Sequence, residues 1–251
     1  MPDREPDMAL RVCALYPDLM NIYADRGNLI VLERRCAWRG IGFELTASGL
    51  GERLDGDAHD LFYIGGGQDR DQRLCAEDLL ANKAGALRTA AARQAVILGV
   101  CGGYQLLGRS YTLGEESIEG VGLFDLETIR EDGPRLIGNV AITPEGLDGI
   151  PGGSVLAGFE NHGGRTRLDD GQTALGRVLK GFGNDGHSGL EGAVSGNTIG
   201  TYLHGPLLPK NVWFADWLIA TALGLAPGSL DALSDEIEDQ THAGALRAAG
   251  V

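Results

Sequence analysis

Short apolar runs alternate with longer amphipathic stretches along the first hundred residues of the chain. Ala9–Leu15, Leu61–Ile64 and residues 95–100 are largely apolar runs of the kind found in strands buried on both faces. Residues 29–39 and 74–93 place apolar positions at helical spacing, so each predicts a helix that covers a sheet. This alternation predicts an α/β fold with a mostly parallel central sheet flanked by helices.

The pattern changes in the second half of the chain. Short alternating segments separated by Gly, Pro and Asp run from about residue 121 to 201 and predict β-strands and turns. Residues 213–223 predict a further helix, and residues 230–249 predict an acidic, alanine-rich helical tail. We therefore expect a single domain over residues 9–250 with a strand-rich second half, preceded by a loose polar leader, residues 1–8.

Composition and charge argue against several classes of partner and against a metal site. The 251 residues carry a net charge of −14, which argues against binding to nucleic acid or to anionic membrane surfaces. The most apolar late stretch, residues 212–225, contains Asp216 and is too short to span a bilayer. The four cysteines show no CxxC spacing, so no metal site is expected. A cytoplasmic protein is expected, because no signal peptide is recognisable and a reactive cysteine suits a reducing compartment.

The sequence around Cys101 has the form of a nucleophile elbow. The apolar strand ends in Gly-Val-Cys-Gly-Gly, residues 99–103, and an apolar helical pattern follows. Glycines beside the cysteine relieve crowding in such a tight turn. The helix start directs free N–H groups and a positive dipole end at the turn, which favours the thiolate of Cys101. Cys101 is therefore the candidate nucleophile, and Gly102 is placed to present a backbone N–H beside it.

A second glycine cluster, residues 65–67, follows the strand Leu61–Ile64. It has two interpretations. It is either a plain flexible loop, or its N–H groups line a site at the carboxyl end of a parallel sheet, where oxyanion donors are found. A phosphate loop is excluded because no Gly-Lys-Ser/Thr follows.

A nucleophilic cysteine normally needs a histidine within hydrogen-bond reach. His204 is the best candidate, because it ends the strand-like residues 200–203 beside a Gly-Pro turn and so faces the same end of the sheet as Cys101. His162 lies among polar residues flanked by glycines, which predicts a loop that either lines the pocket or is an ordinary turn. The remaining histidines are expected at the surface: His59, His187 and His242.

The motifs GVCGGYQ, GGGQD after a strand, GFENHGG and the late TYLHGP together resemble class I glutamine amidotransferases, which have a flavodoxin-like fold. The subgroup is the one that contains cobyric acid and cobyrinic acid amide synthases. Within it, YPDLMNIYADRGN, WRG and YLHGPLLPKN are most similar to the amidotransferase subunits of lipid II isoglutaminyl synthases. The resemblance extends over roughly residues 9–245.

This resemblance implies a glutaminase subunit that hydrolyses L-glutamine through a cysteine thioester. It also implies a partner, an ATP-dependent Mur-ligase-like subunit that amidates the D-glutamate of the lipid II stem peptide during peptidoglycan synthesis. The chain shows no recognisable ATP motif, so ATP and magnesium are expected on the partner and no cofactor on this chain.

The resemblance also assigns roles to individual residues. Cys101 corresponds to the nucleophile and His204 to its base, while Gly102 and Gly66, or a neighbour of Gly66, would supply the two oxyanion N–H groups. The wider class has a glutamate two residues after the histidine, and this chain has Pro206 there. The group that orients His204 is therefore open: another side chain, a backbone carbonyl or a residue of the partner.

On the substrate side, the resemblance implies that Arg135 contacts the α-carboxylate of glutamine, for which a guanidinium fork is well suited. The alternative is a surface arginine on a strand edge. Gly67, Gln105, Asn161 and His162 are further candidate substrate-binding residues. Gln105 has an equal explanation as a packing residue of the elbow.

Other functions share parts of this pattern. A stand-alone thiol hydrolase, such as a γ-glutamyl hydrolase or a cysteine peptidase, would use the same Cys101 and His204 without a partner. An amidotransferase of the cobyric acid type would act on a different acceptor. A non-catalytic binding subunit would retain the elbow only as a remnant.

Overall fold

The computed structural model of the protein describes residues 8–21, 25–113 and 116–251. The leader predicted at residues 1–8 lies outside this part of the chain, apart from Met8. The strands are β1 (Ala9–Leu15), β2 (Gly42–Ser48), β3 (Leu61–Ile64), β4 (Val96–Val100), β5 (Ser110–Leu113), β6 (Glu116–Glu119), β7 (Leu126–Arg130), β8 (Leu136–Pro144), β9 (Leu156–His162), β10 (Gly164–Leu168), β11 (Gly176–Lys180), β12 (Leu190–Glu191), β13 (Ala193–Ser195) and β14 (Thr198–Thr201). The α-helices are α1 (Arg26–Trp38), α2 (Asp69–Asp78), α3 (Ala84–Ala92), α4 (Gly102–Leu107), α5 (Val212–Ala222) and α6 (Glu236–Ala249).

The central sheet has the strand order β13-β14-β4-β3-β1-β2. All neighbours pair in parallel except the edge strand β13, which runs antiparallel to β14. Every residue of β3 and β4 is buried, as expected for parallel strands covered on both faces. Helices α3 and α5 pack on β4, and α1 packs on β2. The predicted α/β fold with a mostly parallel sheet is confirmed.

The second half forms two four-stranded sheets, β10-β7-β5-β6 and β12-β11-β8-β9. The prediction of a strand-rich second half is therefore confirmed. The prediction that His162 lies in a loop is wrong, because it is the last residue of β9 and pairs with Leu136 of β8. Its polar neighbours suggested a loop, but the side chains of Glu160 and His162 are buried on one face of the strand.

Two helices differ from the predicted patterns. The helix expected over residues 74–93 contains a π turn, Leu79–Lys83, between α2 and α3, where the buried Lys83 pairs with Asp78. The tail helix predicted over residues 230–249 begins only at Glu236, as α6. The residue before it, Asp235, pairs with Arg35. Within the described ranges, every helix is too short or too polar to cross a bilayer.

A buried arginine joins the start of the chain to its end. Arg35 of α1 is 1% exposed and pairs with Asp216 of α5 at 2.5 Å and with Asp235 before α6 at 2.7 Å. A guanidinium has enough donors to bond two carboxylates at once. This cluster therefore ties α1 to α5 and to the residue that precedes α6.

Replacing Arg35 by methionine should lower the free energy of unfolding by about 3 kcal/mol, because two carboxylates lose a buried partner. Urea denaturation measures this loss. Arg177 offers a matched control, since it forms an exposed pair with Glu145 at 3.0 Å, and Arg177→Met should leave the stability almost unchanged. An equal loss in both variants would contradict the anchoring role of Arg35.

Candidate active site

Cys101 occupies a strained turn between β4 and α4. Its φ of 51° and ψ of −103° are unusual for a residue with a side chain. The conformation is held from both sides, because the Cys101 N–H donates to Thr201 O at 2.8 Å and the Gln105 N–H donates to Cys101 O at 3.0 Å. Residue 103 must be a glycine because of crowding, since a Cβ on Gly103 would lie 2.3 Å from Ile64 O. The predicted elbow is thus present in the structure.

His204 is fully buried beside Cys101, three residues beyond the end of β14. Its backbone exchanges two hydrogen bonds with Phe159 of β9, at 2.8 and 3.1 Å. Burial alone would lower the pKa of His204, but the Coulombic attraction of Cys101 and the contact with Asp25 raise this pKa to about 10. The side chain lies close enough to Cys101 for the two groups to interact. At neutral pH the imidazole is therefore protonated and suited to pair with a thiolate.

Asp25 is the group that faces the other side of His204. Its Oδ1 lies 3.4 Å from His204 Nδ1, and both side chains are fully buried. The open question of what orients His204, where Pro206 replaces the usual glutamate, is thus answered within this chain. Sequence reasoning missed Asp25 because 179 positions separate it from His204 and no local spacing connects them.

Asp25 also changes the assignment of the oxyanion donors. Its Oδ2 accepts the Gly66 N–H at 2.9 Å, so that N–H is engaged and the alternative in the prediction, a neighbour of Gly66, is favoured. The adjacent Gly67 is better placed. A Cβ on Gly102 would lie 3.1 Å from Gly67 N, which puts the backbone nitrogen of Gly67 directly beside Gly102. Gly67 and Gly102 are therefore the candidate donor pair.

A narrow cleft at Cys101 brings most of the predicted substrate residues together. Its lining comes from both halves of the chain: Gly67, Gln72, Cys101, Gln105, Tyr111, Arg135, His162, Gly163 and Gly164. Asn161 is not among the lining residues but holds one of them. Arg135 donates from Nε to Asn161 Oδ1 and from Nη2 to Asn161 O, both at 2.7 Å. Asn161 therefore orients the guanidinium at the cleft.

A chain of buried polar groups forms the floor of the cleft. Gln72 Nε2 donates to Gln105 Oε1 at 2.8 Å, and Gln105 Nε2 donates to Tyr202 OH at 2.9 Å. Both ends of the Gln105 amide are thus engaged within the protein, which favours its packing role over substrate contact. Gln72 and Tyr111 were not found from the sequence, because neither stands in a recognisable motif.

His162 lines the cleft as a buried, neutral imidazole. Burial lowers its pKa and outweighs the opposing influence of Glu160, whose Oε2 lies 3.8 Å from His162 Nε2. The ring stacks on Tyr202 at 3.6 Å, and Nδ1 lies 2.8 Å from Gly164 O, so that nitrogen carries the proton. The other histidines lie away from the cleft: His59 near Thr46, the exposed His187, and His242 near Lys210 O.

Comparison with known proteins agrees with this geometry. Residues 11–212 match the CobB/CobQ-like glutamine amidotransferase domain, and the chain belongs to this family. It is therefore an enzyme of the glutamine amidotransferase class. The solved structure of PurLQS from Thermotoga maritima shares the fold, with a TM-score of 0.59, 22% identity, and coverage of 95% of this chain and 100% of that one.

Two curated relatives are similar over most of their length. Subunit GatD of the lipid II isoglutaminyl synthase (glutamine-hydrolyzing) of Streptococcus pneumoniae is 36% identical, with 92% of this chain and 90% of that protein aligned. The same subunit of Staphylococcus aureus is 39% identical, over 82% of this chain and 81% of that protein. A cobyric acid synthase of Desulforudis audaxviator is 36% identical over 54% of this chain, but only 27% of that longer protein is covered.

Asp25→Asn should lower the pKa of His204, because the substitution keeps the shape of the side chain and removes its charge. NMR titration of the His204 ring protons measures this, with Asp60→Asn, which alters a carboxylate paired with Arg11, as the control. In the unchanged protein, the raised pKa stabilises the fold fully below pH 6.5, and this contribution is lost as the pH rises through about 10. An unaltered His204 titration in Asp25→Asn would contradict the assignment.

Proposed function

We propose that the chain is the glutamine-hydrolysing subunit of a lipid II isoglutaminyl synthase. The observation that carries the proposal is the buried set of Cys101, His204 and Asp25 beside the backbone nitrogen atoms of Gly67 and Gly102. This is the equipment that hydrolysis of a carboxamide through a thioester requires. The near full-length similarity to GatD subunits supports the choice of this particular reaction.

The first half-reaction uses the Cys101 thiolate and the His204 imidazolium. The thiolate attacks the side-chain carbonyl carbon of glutamine, a C–S bond forms, and the carbonyl oxygen becomes an oxyanion. The N–H groups of Gly67 and Gly102 bond the oxyanion, and the loss of one such donor typically raises the barrier by about 3 kcal/mol. His204 donates its proton to the nitrogen of the carboxamide, ammonia leaves, and a γ-glutamyl thioester remains.

The second half-reaction reverses the role of His204. The neutral imidazole accepts a proton from water, and the resulting hydroxide attacks the thioester carbon. The C–S bond breaks, glutamate is released, and the thiolate and imidazolium are restored. Asp25 holds the imidazole in the same orientation through both steps.

Arg135 is the proposed anchor for the amino-acid end of the substrate. Two of its nitrogen atoms donate to Asn161, and we assign its Nη1 group to the α-carboxylate of glutamine. A guanidinium whose orientation is already held loses less freedom when it binds a carboxylate. This places the substrate with its side chain over Cys101, since both residues line the same cleft.

The released ammonia needs an acceptor that ATP has activated. We assign that step to a Mur-ligase-like partner, which would bind ATP and magnesium and amidate the D-glutamate of lipid II in the cytoplasm. The word subunit in the names of the GatD relatives supports such a pairing. A cobyric acid-type acceptor is the second candidate, and the partial similarity to cobyric acid synthases favours it.

Cys101→Ala should abolish ammonia release from glutamine by the two-subunit complex while leaving amidation of lipid II from added ammonium intact. Coupled detection of ammonia and mass spectrometry of lipid II measure the two activities. Failure of the unchanged complex to release ammonia would reject the amidotransferase function. Release of ammonia without amidation of lipid II would favour another acceptor, and rapid hydrolysis of γ-glutamyl peptides by this chain alone would favour a stand-alone hydrolase.

Arg135→Ala should raise KM for glutamine about 10- to 100-fold with a smaller change in kcat, because a charge-assisted hydrogen bond contributes about 1.5–3 kcal/mol. Steady-state ammonia release measures both constants. Arg177→Ala, at an exposed site in β11, is the matched control. An unchanged KM in Arg135→Ala would remove this residue from the substrate site.

A further inference from the structure

The turn that follows β1 reaches the candidate oxyanion hole. Met20 lies in this turn, is 1% exposed, and is held by a hydrogen bond from its N–H to Tyr16 O at 2.8 Å. A Cβ on Gly67 would lie 2.3 Å from Met20 Sδ, and a Cβ on Gly102 would lie 3.0 Å from Met20 Cε. The thioether therefore packs against both glycines that carry the candidate donors.

The backbone of Met20 touches the same loop. A Cβ on Gly65 would lie 2.3 Å from Met20 O, so the turn contacts the glycine loop at Gly65 as well as at Gly67. Oxyanion donors act only within a narrow distance of about 2.7–3.1 Å from the charged oxygen. Two N–H groups on separate loops hold such a geometry only if something sets the spacing between the loops. The side chain of Met20 lies against both loops.

We propose that Met20 is a positioning residue of the oxyanion hole, which sets the relative placement of the Gly67 and Gly102 N–H groups. This rests on the proposed function, because it assigns those two groups to the oxyanion. A methionine suits the position, since its flexible, unbranched side chain fills an irregular gap between two backbones.

The turn itself is held from behind by a buried polar cluster. Tyr16 has a φ of 51°, which is strained for an aromatic residue. Its hydroxyl donates to Asp78 Oδ2 at 2.8 Å, and the buried Lys83 pairs with the same carboxylate and lies 4.8 Å from the centre of the Tyr16 ring. The π turn that carries Lys83 thus helps to hold the strained conformation from which Met20 extends.

Met20 also lines a pocket of about 360 Å³ between the ends of β1 and β2 and Tyr63. Truncation of Met20 would leave the Gly67 loop space to move. Such a movement would disturb donor alignment more than global stability.

The test compares Met20→Ala, Met20→Leu and the control Leu32→Ala in the two-subunit complex. Leu32 is fully buried in α1, so its truncation also opens a space in the core. Met20→Ala should lower kcat for ammonia release about 100-fold with KM changed less than about threefold, because a small misplacement of catalytic groups has effects of this size. Met20→Leu, which restores the volume, should recover kcat to within about tenfold.

A second readout separates positioning from general destabilisation. The second readout uses the analogue of glutamine in which an aldehyde replaces the side-chain carboxamide. The Cys101 thiol adds to the aldehyde carbonyl, and the resulting tetrahedral adduct presents its oxygen to the N–H groups of Gly67 and Gly102. The affinity for this aldehyde should fall in proportion to kcat/KM in Met20→Ala and should stay unchanged in Leu32→Ala. Equal losses in the two alanine variants, or an unchanged analogue affinity in Met20→Ala, would overturn the proposal. Absence of ammonia release by the unchanged complex would instead reject the proposed function.

Discussion

The contact between Asp25 and His204 is the constraint on which the site depends. A buried carboxylate is costly unless donors surround it, and Asp25 has His204 on one oxygen and the Gly66 N–H on the other. One side chain thereby orients the imidazole, stabilises its charge and holds the glycine loop next to Cys101. The orientation of His204 and the shape of the glycine loop, residues 65–67, cannot vary independently, because both depend on this carboxylate.

The substitution of Pro206 for the usual glutamate fits this arrangement. A Cβ on Gly27 would lie 2.6 Å from Pro206 Cγ, so the proline packs closely against the first turn of α1. Asn28 continues the contact, because its Oδ1 accepts the Leu208 N–H at 2.8 Å and its Nδ2 donates to Tyr63 OH at 2.9 Å. The residues after His204 thus form the surface on which α1 begins. The carboxylate that contacts His204 thus comes from Asp25, directly before the helix that packs on these residues.

The sequence predicted what local patterns encode and missed what distant contacts create. The strand Leu61–Ile64, the elbow at Cys101 and the position of His204 at a strand end all follow from short-range features, namely apolar runs and the glycines that end them. Asp25 could not be found in this way, since its role exists only after β1 and β14 have entered the same sheet. His162 was misplaced because polar composition suggests exposure, whereas its partners are themselves buried.

The raised pKa of His204 fits the two roles that the proposed mechanism gives its imidazole, first as an acid and then as a base. Burial opposes the charged form, and the Coulombic attraction of Cys101 is the largest influence that favours it. In the proposed mechanism the sulfur carries no negative charge once the thioester has formed, so this influence is absent from the second half-reaction. Only Asp25 then opposes the burial penalty, which favours the neutral imidazole that remains after His204 has protonated ammonia. On this proposal, acylation of Cys101 favours the protonation state that deacylation needs.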